Sequence, residues 1–342
     1  MGVDFGDSIP REKVQLEDIA GWRLAVDGYN TLYQFLAIIR GMDGSHLKDA
    51  QGRVTSHISG LFYRNVNLLE LGMKLVYVFD GRPPELKMEE IRRRSEQRRE
   101  AKDQYLRALQ AGETAQARKY AEASTVLRRD MVSDAKELLD AMGIPWVDAP
   151  SEGEAQASVM AMEGVVNAVA SQDHDSIVFG APVLVRNVTI SGKRRLPSKG
   201  IVINVVPEKI TLASALAATG LTREQLVDFA ILLGTDFNPD GFAGVGPATA
   251  LKYLKKYGKL EEIKELAGPL QAVNYPEIRK LYLDAPSIKG VSPEWKPLDK
   301  ERVVSFLVGE HSFSRDRVDA AIARVQSKAA SAPTETLEKW FG

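Results

Sequence analysis

The sequence predicts an α/β fold in which a mostly parallel, twisted sheet has helices on both faces and is followed by a helical C-terminal region. Apolar runs at residues 23–27 and 74–80 each end in an aspartate and are typical of buried strands. The segment 55–71 between them has apolar residues at helical spacing and is the expected crossover helix. From Pro207 onward the apolar spacing is mainly helical, which predicts the C-terminal region.

The remaining elements follow from the same patterns. Residues 85–107 are highly charged with few apolar positions, which predicts a helix that projects into solvent or over a cleft. Further strands are predicted at 145–148, 165–171, 175–179, 182–188 and 201–206. Further helices are predicted at 124–142, from about 152, and at 207–217, 222–233, 247–257, 275–283, 301–308 and 314–327.

Composition narrows the classes of protein and of site. The chain has 342 residues, of which 44% are hydrophobic, enough for one large domain or two ordinary ones. It has no cysteine, which excludes disulfides and thiol chemistry, and its four histidines argue against a His-rich metal site. Charges interrupt every apolar run, so we expect a soluble intracellular protein without a membrane span.

Basic residues are concentrated in two regions although the net charge is only −1. Residues 87–129 contain 12 Lys and Arg against 7 Asp and Glu, a local excess of +5. Residues 241–260 contain 4 Lys and no acidic residue. Basic surfaces of this kind hold phosphates, so the two regions indicate a polyanionic partner.

Seven acidic residues stand in contexts that predict one metal site, most of them where an apolar run ends: Asp27, Asp80, Glu152, Glu154, Asp173, Asp175 and Asp236. In a parallel sheet the carboxyl ends of strands share one edge, so these side chains are expected to converge. Carboxylates gathered in a crevice repel one another unless cations neutralise them. Oxygen ligands suit Mg²⁺ or Mn²⁺, and the chemistry favoured is phosphodiester hydrolysis by two metal ions.

Several of these acids have alternative structural interpretations. Asp173 and Asp175 alternate, so on an extended segment both point to one face, but a surface turn explains a lone pair as well. Ser151 and Glu154 also fit a capping box, in which Glu154 could not bind metal at the same time. Asp27 or Asp80, taken alone, could simply cap a helix.

Two cations and one hairpin are the predicted phosphate contacts. Lys87 and Arg94 are seven residues apart, so they share a helix face and could reach one phosphate diester; the alternative is a solvated face paired with nearby glutamates. Gly244-Val-Gly246 precedes a lysine-bearing helix that includes Lys252, which predicts a helix–hairpin–helix facing a phosphate.

At the C-terminus, Leu337, Trp340 and Phe341 follow an Ala/Ser-rich stretch and predict a partner-binding peptide.

Taken together, VFDGRPPELK, APSEGEAQA, LLGTDFN and GVGP make the chain resemble the archaeal form of the flap endonuclease family, the structure-specific 5′ nucleases, over nearly its whole length. The resemblance implies one nuclease domain over 1–330, with a first region at 1–110, a helical gateway and cap from about 82, a second region at 111–240, and helix–hairpin–helix and C-terminal helices at 241–330. It also implies a flexible tail at 331–342 that binds a sliding clamp.

The resemblance implies roles for individual residues. The seven acids would hold two Mg²⁺, with Mn²⁺ as a substitute, and Lys87 and Arg94 would be catalytic. Tyr33 would stack on a nucleobase near the cut, and K⁺ would bind at the hairpin. The other implied DNA contacts are Gly2, Arg40, Thr55, Arg64, Gly244, Gly246, Lys252 and Arg317. Thr334 stands where the family's clamp peptide usually begins with Gln, so clamp binding is expected to be weaker.

The implied function is a 5′ flap endonuclease with 5′-3′ exonuclease activity, acting in Okazaki fragment maturation and base excision repair. The expected protein is a monomer of the archaeal cytoplasm, associated with the nucleoid. One alternative is a non-catalytic DNA-junction binder that recruits the clamp, although it would have no use for seven acids. Another is a relative that acts as an exonuclease or on bubbles, but the short segment between Asp80 and Asp134 favours flaps.

Overall fold

A seven-stranded sheet forms the centre of the protein in a computed structural model that describes residues 2–41, 44–195 and 202–331. Its strands are β1 (Glu12–Lys13), β2 (Arg23–Asp27), β3 (Lys74–Phe79), β4 (Trp146–Asp148), β5 (Ala168–Ala170), β6 (Val183–Arg186) and, later in the chain, β9 (Glu208–Thr211). A separate antiparallel hairpin pairs β7 (Gly192–Arg195) with β8 (Val202–Val205).

The order of the strands creates a crevice between β2 and β5. The sheet runs β1-β9-β6-β5-β2-β3-β4, and the five strands from β6 to β4 are parallel to their neighbours. From β2 the chain adds β3 and β4 on one side, whereas β5 and β6 lie on the other. Ligands of open parallel sheets bind beyond the carboxyl ends of the strands at such a change of direction. Beyond β6, β9 pairs antiparallel with both β6 and β1, and β1 and β4 are the edge strands.

Helices cover both faces of this sheet. They are α1 (Gly28–Ile38), α2 (Ser56–Glu70), α3 (Met88–Gln110), α4 (Thr114–Ala123), α5 (Arg129–Ala141), α6 (Gly153–Met162), α7 (Asp175–Val178), α8 (Leu212–Thr219), α9 (Arg223–Leu233), α10 (Pro247–Tyr257), α11 (Ala267–Leu270), α12 (Tyr275–Leu283), α13 (Lys300–Val304) and α14 (Arg315–Ser331). A π-helical turn, Ser305–Glu310, follows α13. In the described ranges no helix is long and apolar enough to cross a membrane.

Two apolar cores lie on opposite faces of the sheet because successive strand residues point in opposite directions. On β3, Leu75 and Tyr77 enter the core that also contains Phe62 of α2. Val76 and Val78 enter the other core, with Phe229 of α9. Strands buried on both faces read as continuous apolar runs in the sequence. The predicted α/β class, a mostly parallel sheet with helices on both faces, is confirmed.

Most predicted elements are present, with two errors. Residues 175–179 are a short helix, α7, and not a strand, because a brief apolar run does not distinguish the two. Residues 207–217 were expected to be helical throughout, but Glu208–Thr211 forms β9 against β6 before α8 begins. The charged segment is helical as expected: α3 buries only Glu90, Ala101 and Ala108. The predicted helix at 124–142 begins at Arg129.

A long segment between α12 and α13 is held against the sheet by backbone contacts at Gly143. The Lys296 N–H donates to the Gly143 carbonyl at 2.9 Å, and the Trp295 indole donates to the Leu75 carbonyl at 2.7 Å. Gly143 has a φ of +69°, and a Cβ there would overlap the Lys296 carbonyl. Gly164 has nearly the same φ, +71°, but open space around it.

Gly143→Ala should therefore destabilise the protein more than Gly164→Ala. Both changes incur the cost of a side chain in the left-handed region, about 1–2 kcal/mol. Only Gly143→Ala must also push a backbone carbonyl aside, which should add roughly 1–3 kcal/mol. Denaturant unfolding of the two variants measures the difference, and equal losses would show that the Gly143 contact is not tight.

Candidate active site

Two acids of the predicted site follow neighbouring parallel strands. Asp27 is the last residue of β2 and also the N-cap of α1, where its side chain accepts a hydrogen bond from the Asn30 N–H at 3.0 Å. Asp80 follows β3 directly, and its Oδ1 accepts from the Gly153 N–H at 2.6 Å. A Cβ at Gly153 would lie 2.7 Å from that oxygen, so the contact requires glycine.

The acids at the start of α6 do not form the capping box that the sequence allowed. The N-cap of α6 is Glu152, without a side-chain capping bond, so the capping interpretation of Ser151 and Glu154 is wrong. Glu154 instead accepts from the Ser171 hydroxyl at 2.7 Å and the Ser176 hydroxyl at 3.2 Å. Its carboxylate therefore faces the end of β5.

Asp173 and Asp175 lie beyond β5, but not on an extended segment. Asp173 is in a bend and Asp175 is the first residue of α7, so the expected alternation along a strand is wrong. Asp173 Oδ2 accepts from Asn30 Nδ2 at 2.9 Å, and Asp175 Oδ1 accepts from the Val3 N–H at 2.9 Å. A Cβ at Gly2 would be 2.6 Å from Cβ of Asp173, which places the N-terminal residues against this pair.

Lys87 and Arg94 both contact Asp236, which follows α9. Lys87 Nζ lies 3.2 Å from Asp236 Oδ2 and also pairs with Glu152, while Arg94 pairs with Asp236 and with Glu90. Lys87 and Arg94 therefore lie close to each other beside Asp236, near the start of α3. Glu90, one of the nearby glutamates expected as local partners, is buried and pairs with Arg94 at 2.7 Å.

Burial and neighbouring charges shift the pKa values of four of these acids. Burial raises the pKa of Asp27, and the negative charge of Asp80 raises it further. Burial, followed by the charges of neighbouring aspartates, raises the pKa of Glu154 and of Asp175. Burial also acts on Asp236, but Lys87 and Arg94 outweigh it and hold the pKa of Asp236 at about 2. Of these four acids, only Asp236, which pairs with two cations, has its pKa lowered.

The donor chemistry of the crevice suits a hard divalent cation, because it offers several carboxylate oxygens. Within the described ranges, however, no three Asp, Glu or His side chains are positioned to hold a metal ion directly. Part of the reason lies in the ion pairs, because Lys87 occupies carboxylate oxygens of Glu152 and Asp236. Metal binding would therefore require rotation of some side chains.

Of the other predicted DNA contacts, those on or next to α1 and α2 are engaged or buried within the protein. Tyr33 is half-buried, with the Arg98 guanidinium 4.8 Å from its ring centroid. Arg40 donates to the Ala121 carbonyl and the Thr125 hydroxyl at 2.9 and 2.7 Å. Arg64 donates to the Ser191 carbonyl at 2.9 Å, and Thr55 is buried at the start of α2.

The predicted hairpin connects α9 to α10. Gly244 has a φ of +78°, Gly246 is the N-cap of α10, and a Cβ at either would meet no atom within 4 Å. The backbone is therefore open to a close ligand, and Lys252 of the following α10 is exposed. Arg317 is exposed on α14. Leu337, Trp340 and Phe341 of the predicted clamp peptide lie outside the described residues.

Two sequence families match a little over half of the chain, and full-length relatives match all of it. The XPG N-terminal domain matches residues 8–101, and the XPG I-region matches residues 143–236. The chain is 49% identical to Flap endonuclease 1 of Caldivirga maquilingensis and 49% identical to that of Archaeoglobus fulgidus, with 100% of both chains covered in each case. It is 46% identical to Flap endonuclease 1 of Pyrococcus furiosus, over 100% of this chain and 99% of the relative.

Solved structures give the same comparison. Flap endonuclease-1 from Methanococcus jannaschii superposes with a TM-score of 0.75 at 37% identity, covering 96% of this chain and 99% of that one. The catalytic core of Rad2, solved in complex with a DNA substrate, superposes with a TM-score of 0.69 over 95% of this chain. At 23% identity, the Rad2 match supports the shared fold alone.

Proposed function

This chain belongs to the flap endonuclease family, and we propose that its reaction takes place in the acidic crevice between β2 and β5 with divalent cations bound there. The protein is a structure-specific flap endonuclease, a metal-dependent hydrolase. The location is supported by seven carboxylates that lie around one crevice beside two cations, close enough that the charge of one shifts the pKa of another. A non-catalytic junction binder, the alternative function, would gain nothing from such a costly arrangement.

The proposed cofactor is a pair of Mg²⁺ ions, with Mn²⁺ as a substitute, held by the seven acids: Asp27, Asp80, Glu152, Glu154, Asp173, Asp175 and Asp236. When bound, the two cations would supply Lewis-acid stabilisation of the charge on attacking and leaving oxygens. Lys87 and Arg94 are proposed to donate to the scissile phosphate. The neighbouring Glu152 and Asp236 outweigh the burial of Lys87 and raise its pKa, so it stays protonated and acts as a donor and not as a base.

The proposed substrate is DNA with a 5′ flap, cut where single and double strands meet. A scissile phosphate can reach a deep crevice only if terminal bases unpair, at a cost of a few kcal/mol. Stacking of a base on Tyr33 would offset about 1–3 kcal/mol, once Arg98 leaves the ring. The other residues proposed to line the DNA path are Gly2, Arg40, Thr55, Arg64, Gly244, Gly246, Lys252 and Arg317, with K⁺ at the hairpin.

Cellular roles and partners follow as further proposals. We place the nuclease reaction in one domain over 1–330 and a clamp-binding role in 331–342. The 5′-3′ exonuclease activity, and work in Okazaki fragment maturation and base excision repair, would use the same crevice. The protein alone is proposed to be a monomer.

Asp173→Ala should abolish cleavage but leave flap binding in EDTA within roughly tenfold of wild type. Asp173 lies in the acidic crevice, away from the basic surfaces that would supply most of the affinity for phosphates. Labelled double-flap DNA with Mg²⁺ measures cleavage, and EDTA should stop the wild-type enzyme. The matched control is Asp284→Asn, which changes an exposed aspartate at the end of α12. Near-normal cleavage by Asp173→Ala at saturating Mg²⁺ would disprove the assignment.

Lys87→Met and Arg94→Ala should each slow single-turnover cleavage about 10²–10³-fold, as is typical when a donor to developing charge is removed. Arg92→Ala is the matched control on the same helix. Arg92 is exposed, and its one ion pair within the described ranges is a 4.0 Å contact with Glu89. Rapid-quench kinetics with saturating enzyme measure the rate. A change in DNA affinity with an unchanged rate would place either cation in the binding surface only.

Deletion of residues 334–342 should leave basal flap cleavage nearly unchanged but remove stimulation by the cognate sliding clamp. The segment contains none of the acids or the basic regions, and Leu337, Trp340 and Phe341 are suited to fill an apolar groove. Thr334 in place of Gln should cost roughly 0.5–1.5 kcal/mol of binding. Calorimetry with a peptide of residues 330–342, against its Trp340→Ala form, measures the contact. Full stimulation of the truncated enzyme would refute the clamp role.

A further inference from the structure

A chain of three hydrogen bonds runs from Thr189, in the turn Val188–Ile190, through two side chains of α1 to Asp173. The Thr189 hydroxyl donates to Gln34 Oε1 at 3.3 Å. Gln34 Nε2 donates to Asn30 Oδ1 at 2.7 Å, and Asn30 Nδ2 donates to Asp173 Oδ2 at 2.9 Å. Gln34 and Asn30 are one helical turn apart on α1, so their side chains are neighbours. None of these donors carries a net charge.

The chain has a single direction, because a carboxamide has one donor end and one acceptor end. Thr189 occupies the oxygen of Gln34, so Gln34 presents its NH₂ group to Asn30. Asn30 must then accept with its oxygen and present its own NH₂ group to Asp173. An ionised carboxylate only accepts, so the chain ends with the correct polarity. Each link thereby fixes the orientation of the next.

Both ends of the chain are anchored. Thr189 is buried in the turn Val188–Ile190, and the following Ser191 is held by Arg64 of α2. At the other end, the Asn30 N–H donates to Asp27 Oδ1 at 3.0 Å while its side chain donates to Asp173. Asn30 therefore contacts two acids that come from different strands.

We propose that Asn30, oriented by Gln34 and Thr189, is a positioning residue that sets the rotation of the Asp173 carboxylate for a divalent cation. The inference rests on the proposed function, in which Asp173 is a metal ligand. A neutral donor suits this task because it orients a carboxylate without competing for its charge, whereas Lys87 beside Glu152 does compete. Partners that orient a ligand typically change metal affinity 10–100-fold when removed.

Three nearly isosteric changes interrupt the chain at successive links. Asn30→Leu removes the donor to Asp173. Gln34→Glu can still accept from Thr189 but has no N–H for Asn30. Thr189→Val removes the hydroxyl. The control is Asn65→Leu, which removes another buried amide. Asn65 lies in α2, and its side-chain oxygen accepts from the Tyr77 hydroxyl at 2.8 Å.

Four measurements on the full chain separate positioning from general stability. Mn²⁺ binding to the DNA-free protein is measured by electron paramagnetic resonance of free Mn²⁺. The dependence of the single-turnover cleavage rate on Mg²⁺ concentration gives an apparent Mg²⁺ dissociation constant. Flap DNA affinity and thermal unfolding are measured in EDTA.

Asn30→Leu should weaken Mn²⁺ binding about 10–100-fold, with a smaller loss for Gln34→Glu and the smallest for Thr189→Val. The Mg²⁺ requirement should shift in the same order, with flap DNA affinity unchanged. Asn65→Leu should lower Tm and leave the Mn²⁺ constant as in wild type.

Wild-type Mn²⁺ binding by Asn30→Leu, together with loss of binding in Asp173→Ala, would overturn the positioning role and leave the proposed function standing. Wild-type binding by Asp173→Ala itself would instead remove Asp173 from the metal site, and the positioning role with it. If Asn30→Leu does not fold, unchanged Mn²⁺ constants in both Gln34→Glu and Thr189→Val overturn the proposal.

Discussion

Repulsion between buried carboxylates is the constraint on which the rest of this structure depends. Burial raises the pKa of Asp27, Glu154 and Asp175, and neighbouring carboxylates raise each of them further. Such a crevice is stable only if positive charge or hydrogen-bond donors reach it from outside the sheet. The arrangement of the N-terminus, of α1 and of α3 around the ends of β2, β3 and β5 meets that need.

Helix α3 shows the consequence most directly. It buries few residues, so apolar packing contributes little to its position. Its first turns are instead joined to the loop after α9 by Arg94 with Asp236 and by Arg93 with Asp240, at 2.9 Å in the second pair. Exposed pairs such as Arg93 with Asp240 add little stability. The partly buried pair of Arg94 with Asp236 does more to fix where the helix lies, because leaving its charges unpaired would be more costly.

The sequence predicted the sheet and the convergence of the acids because both follow from local pattern: apolar runs that end in Asp27 and Asp80, and strand ends that share an edge. It predicted the hairpin from Gly246 and Pro247 for the same reason. It could not predict the partners of each acid. Asp173 meets Asn30 across 143 positions, and Asp175 meets Val3 across 172, so tertiary packing alone decides them. The helix α7 and the strand β9 were missed because their short runs take their conformation from neighbouring elements.

The acids divide into two groups by the charge of the donors that hold them. Neutral donors hold Asp27, Asp80, Glu154, Asp173 and Asp175. Cations beside α3 hold Glu152 and Asp236. Added positive charge in the crevice would leave the first group's contacts intact, since neutral donors do not compete with it, but would weaken the hold of the second group on Lys87 and Arg94. The same two side chains would then be free to turn toward a phosphate. Neutral donors thus keep the frame of the site rigid, and the cationic contacts are the part that can respond to what enters it.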